Sequence, residues 1–129
     1  MNRVRFRPRS LILFFGCMCV TLLLYELLMS FKEARSRLIA ALAVGDYEHE
    51  ARQALAEKNL LAIGTVTAGF VIRLLRKARG HDHRESAHHW DDSVTVHSFR
   101  CRDGNDLWYI KAYFIESTGA VFISVHRSE

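Results

Sequence analysis

From Leu11 to Met29 the chain is almost wholly apolar, and no charge interrupts it before Glu26. A helix rises about 1.5 Å per residue, so this run roughly matches a hydrocarbon core of about 30 Å. Arg3, Arg5, Arg7 and Arg9 precede it, with no acid among the first ten residues. The pattern predicts a basic tail over 1–10 and a transmembrane signal anchor over 11–29. A single small domain is predicted over 30–129.

Beyond the anchor the pattern changes. Phe31, Ala34, Leu38, Ala41 and Leu42 recur at helical spacing between charged residues, which predicts a helix over Ser30–Leu42. Gly45-Asp46 breaks it. With Asp46 as N-cap, Tyr47–Asn59 reads as a second helix carrying Tyr47, Ala51, Ala54 and Leu55 on one stripe. In Leu60–Leu75, Val66, Ala68, Phe70, Ile72 and Leu74 alternate with Thr65, Thr67, Gly69 and Arg73. The alternation predicts a strand, with a short second membrane helix as the rival. Ala78–Asp92 reads as a polar connection.

Three further strands are predicted. Ser93–Cys101 carries Val94, Val96 and Phe99. Leu107–Ile115 sets Trp108, Ile110, Ala112 and Phe114 against Tyr109, Lys111 and Tyr113. Ala120–His126 places Val121, Ile123 and Val125 on one face. The short turns Arg102–Asp106 and Glu116–Gly119 imply antiparallel hairpins. The predicted fold class is α+β: an N-terminal transmembrane helix, then two helices packed on a small antiparallel sheet of about four strands.

Composition adds little to this picture. The net charge of +4 is largely the four arginines of the tail. Beside an apolar run they point to membrane topology and anionic lipid rather than to nucleic acid, since no groove-reading motif accompanies them. The apolar run exceeds the roughly 7–15 residues of a cleaved signal peptide, and small-residue sites near Ala40–Ala43 lie too far downstream. Of three cysteines, Cys17 and Cys19 fall in the anchor, and Cys101 alone in the domain cannot form an internal bridge.

Candidate chemistry gathers in the histidine-rich connection. His81, His83, His88 and His89, with Asp82, Asp91 and Asp92, offer imidazole and carboxylate ligands for a divalent metal, or a cluster of groups charging in mild acid. Cys101 with His97 or His126 would be a thiol and base. On one straight strand, however, His97 and Cys101 stand about 13 Å apart. Tyr109, Lys111 and Tyr113 form an amphipathic face suited to a partner protein or to covering by the domain's own elements. Phosphate loops, dinucleotide fingerprints and paired carboxylate motifs are absent, so no cofactor or small-molecule substrate is indicated.

Leu61-Ala62-Ile63-Gly64 leading to Ala68-Gly69-Phe70, Ser93-Val94-Thr95-Val96, Leu107-Trp108-Tyr109-Ile110-Lys111-Ala112 and Ala120–Val125 carry a resemblance. Over about 70 residues this half of the chain is similar to the membrane-tethered domains of the cytochrome oxidase assembly factor family and its mitochondrial presequence-translocase relatives. It departs from them in its histidine-rich loop and at Ala120-Val121-Phe122, where the family has a tryptophan-containing strand. The resemblance implies assembly or interaction rather than catalysis.

The function expected from sequence is a membrane-anchored, non-enzymatic interaction or assembly domain. Its partners would be the lipid bilayer and another membrane protein. The alternative is a metal- or pH-sensing module using the 81–92 histidines. The balance of basic residues favours a single-pass topology, N-terminus cytoplasmic and domain outside, which is periplasmic in a bacterium.

Overall fold

The computed structural model describes residues 16–51, 58–115 and 118–128, with backbone alone for 16–29 and 118. The arginine tail, the start of the apolar run, and Ala54 and Leu55 lie outside the described residues. Among the described residues no helix is long and apolar enough to cross a membrane.

Helix α1 spans Gly16–Val44. Its second half buries the predicted stripe, Phe31, Ala34, Leu38, Ala41 and Leu42. Gly45 stops it with φ 79°, and the Asp46 N–H reaches the Ala41 carbonyl at 2.9 Å. That is a Schellman ending, in which a left-handed glycine lets the chain turn back on the helix's free carbonyls.

The chain beyond Asp46 departs from expectation. Tyr47–His49 is a short strand, β1, not the start of a helix. Tyr47 and His49 both pack on Phe122, at ring separations of 5.7 and 6.4 Å. Asp46 caps no helix here: its carboxylate accepts the Gly119 N–H. Asn59, buried, anchors the following turn. Its amide donates to the Phe122 carbonyl at 3.3 Å, lies 3.1 Å from His49 Nδ1, and accepts the Ala62 N–H at 3.1 Å.

The predicted strand over Leu60–Leu75 is corrected to a turn and a second helix, α2, over Ala68–Lys77. Thr67 is the N-cap, its hydroxyl accepting the Phe70 N–H at 3.1 Å. Val71, Leu74 and Leu75 are buried at helical spacing while Arg73, Arg76 and Lys77 stay exposed. Capping and burial of that triplet outweigh the period-two alternation. At 10 residues, α2 is too short to be a membrane span.

A 3₁₀ turn, Gly80–Asp82, leads into β2, His83–Ala87, where a connection was expected. Strands β3 (Thr95–Asp103), β4 (Asp106–Ile115) and β5 (Thr118–Arg127) follow as antiparallel neighbours. The sheet is therefore five-stranded and mixed, in the order β1-β5-β4-β3-β2, with β1 parallel to β5.

The two helices cover one face of the sheet, enclosing Phe99, Cys101, Trp108, Ile110, Ala112, Ala120, Phe122 and Val125. The expected face of Val121, Ile123 and Val125 is broken by a β-bulge. Lys111 pairs with Ser124 but Ala112 pairs with Phe122, so Ile123 is extra and the alternation flips. Val121 thus joins Val96 and Tyr113, with which it is aligned, on the open face.

Helix α1 crosses the strands rather than following them. Ser30 meets Glu85 on β2, Phe31 packs 6.2 Å from Phe99 on β3, and Arg37 lies over Phe114 on β4. Asp46 then reaches Gly119 on β5. The β2 edge is therefore the edge nearest the apolar run.

Candidate functional site

Strand β2 has no apolar face, but its register with β3 brings polar groups together. Glu85 pairs with His97 and His83 with Phe99. His83 and Glu85 are two apart, so both share the helix-covered side with His97. His83 Nε2 lies 3.0 Å from His97 Nδ1, and the rings are nearly parallel at 5.2 Å. Glu85 Oε2 is 4.0 Å from His97 Nδ1 and accepts the Ser30 hydroxyl from α1. The three possible ligand atoms all lie within 4.8 Å of one another.

Aromatic rings wall this cluster. Phe99 and Phe31 are 4.9 and 5.8 Å from the His83 ring, and Phe114 is 5.5 Å from His97. Burial among them pushes both imidazoles below the usual histidine pKa. For His83 the neighbouring His97 adds to the fall while Glu85 opposes it. For His97, Glu85 and Glu33 oppose and Arg37 reinforces it. A small cavity of about 50 Å³ opens beside His97, lined also by Ser30, Glu33, Ala34, Arg37 and Phe114.

The four histidines singled out from sequence do not converge. His81 is exposed beside Asp82, at 3.5 Å, and His89 is exposed with its ring 5.3 Å from Trp90. His88 lies over the opposite face of the sheet, where its Nε2 meets Glu50 Oε1 at 2.8 Å and its ring meets Tyr113 edge-on at 4.9 Å. The Trp90 N–H donates to His88 Nδ1 at 3.1 Å, so Nε2 carries the hydrogen given to Glu50. Only His83 joins the cluster. Glu85, His97 and Ser30 complete it, and their signal was faint: a His-x-Glu alternation in a polar segment, facing a histidine fourteen residues from His83.

The Tyr109–Lys111–Tyr113 face is the open one. His126 stacks on Tyr109 at 5.5 Å, His88 meets Tyr113, and Lys111 is exposed. A cleft of about 730 Å³ lies where Trp108, Tyr109 and His126 meet Lys58, Leu60 and Thr65. Trp108 Nε1 and His126 Nδ1 are buried near it without hydrogen-bond partners among the described residues. Cys101 is poorly suited to act as a nucleophile. Burial, reinforced by Asp82, pushes its thiol up to about 12, and a thiol held protonated does not attack.

Compared with protein-family models, curated proteins and solved structures, the chain matches none.

Proposed function

We propose that this chain is a membrane-anchored, non-enzymatic interaction domain that supports assembly of a membrane protein complex. One observation carries the reading. Helix α1 runs without a break from Gly16, inside the apolar segment, to Val44, and its second half packs into the core of the domain. No flexible linker separates tether from domain. A domain joined in this way is held close to the bilayer in a restricted orientation, which raises its effective concentration for membrane partners. The assembly role is the one implied by the family resemblance, and the open face with Lys111 at its centre is the surface offered to a partner. The proposed topology keeps the arginine tail cytoplasmic and the domain outside.

The test uses the full chain in its own membrane, with a photo-crosslinking residue in place of Lys111. The reading expects a chain that resists alkaline extraction and a crosslink to one discrete membrane protein. Release by alkali, or labelling with no discrete product, would overturn it. A phosphatase active only outside the cell, fused after Glu129, is expected to be active. A silent phosphatase with a fluorescent cytosolic reporter would reverse the topology.

A further inference from the structure

Imidazole and carboxylate are the ligand types of zinc and its neighbours, and three protein ligands with one open position form a common zinc arrangement. His83, Glu85 and His97 supply such a set from two paired strands, with their ligand atoms within 4.8 Å of one another. A tetrahedral ion with bonds of about 2.0–2.1 Å needs ligand atoms about 3.3 Å apart. The two imidazole nitrogens at 3.0 Å need to part by only a few tenths of an ångström. Glu85, at 4.0 Å from His97, needs to close by somewhat more, and its side chain is exposed enough to move.

The surroundings fit the same use. The Ser30 hydroxyl holds the Glu85 carboxylate, as outer partners of metal ligands do. The aromatic rings exclude water from one side. The cavity of about 50 Å³ beside His97 and Ser30 has room for a water molecule.

We propose that His83, Glu85 and His97 bind a single divalent transition-metal ion of the zinc class, with the fourth position open toward Ser30 and His97. The hydrogen now shared between the two rings moves to the remote nitrogen of its own ring, freeing both facing lone pairs without net proton release. The ion ties edge strand β2 to β3. This site is independent of the membrane reading, and either can fail without the other.

The test is calorimetric titration of Zn²⁺ into the full chain in detergent after chelator treatment, with Cys17 and Cys19 replaced by serine. Co²⁺ then serves as a probe for its visible bands. One ion per chain is expected, with intense bands of a four-coordinate site. His83→Ala and His97→Ala should weaken binding by more than the roughly 10–100-fold of an outer-partner loss, and Ser30→Ala by about that amount. The combined His81→Ala, His88→Ala and His89→Ala variant should bind as the parent does.

Glu85→Gln keeps an acceptor for Ser30 but removes the anionic ligand, and serves as the deciding variant if a histidine variant fails to fold. Substoichiometric binding by the parent would overturn the proposal. So would parental affinity in Glu85→Gln and the folded His83→Ala and His97→Ala variants, or loss confined to the His81, His88 and His89 variant.

Discussion

The Asp46 carboxylate accepts the Gly119 N–H at 3.0 Å, while the Asp46 backbone carbonyl accepts the N–H of Ala120 at 3.2 Å. This pair fastens the end of α1 to the start of β5 and sets β1 in register beside it. Gly119 has φ 62°, and an added Cβ would stand 3.3 Å from Asp46 Oδ1. Asp46→Ala should cost about 1–2 kcal/mol through loss of the charged acceptor. Gly119→Ala should cost at least about 1–2 kcal/mol through left-handed strain. Urea unfolding of both single variants and the double variant checks this. Additive losses would contradict the coupling, because residues in contact should not act independently.

The strands β3, β4 and β5 were legible because one face of each alternates and the turns between them are short. The first helix was legible from its stripe. Strand β2 was not, since His83-Arg84-Glu85-Ser86-Ala87 has no apolar side for burial to select; only pairing with β3 makes it a strand. Helix α2 is hidden in the sequence because Val66 to Leu74 satisfies period two, while Val71, Leu74 and Leu75 satisfy the helical period with Thr67 as a cap. The bulge at Ile123 is invisible in an all-apolar stretch that reads equally well in either register. In the site, His83 is legible from the histidine-rich segment that carries it. Glu85 and His97 come to it through strand register, and Ser30 from 55 residues away.

Acid should destabilise the metal-free domain. Burial lowers the pKa of His49, His83, His97 and His126, helped at His126 by Lys58 and Lys111. Between each lowered value and the unfolded value near about 6.5, the unfolded chain binds more protons than the folded one. Stability is therefore full above that value and is lost as pH falls through the lowered ones. Urea midpoints measured with chelator from neutral to mildly acidic pH should be level at first and then drop. A midpoint that rises with acid would show that these rings are not held neutral.

The Cys101 thiol should resist alkylation in the native state. With its pKa pushed up to about 12 and its side chain buried, neither thiolate nor access is present at neutral pH. In a Cys17→Ser, Cys19→Ser chain, iodoacetamide followed by mass spectrometry should find no adduct until urea is added. Rapid native modification would show that the β3 core opens readily.

In the proposed anchored arrangement α1 would carry its apolar segment straight into the domain, with the β2 edge at the bilayer surface and the β1 edge away from it. Across five strands the two edges stand roughly 19 Å apart. The direct measurement is fluorescence quenching in vesicles whose lipid headgroups carry a spin label, using the same cysteine-free anchor with a fluorophore at Arg84→Cys on β2 or Glu48→Cys on β1. Both positions are exposed. Anchoring through α1 predicts strong quenching at residue 84 and little at residue 48. Equal quenching at the two positions, or the reverse order, would contradict it.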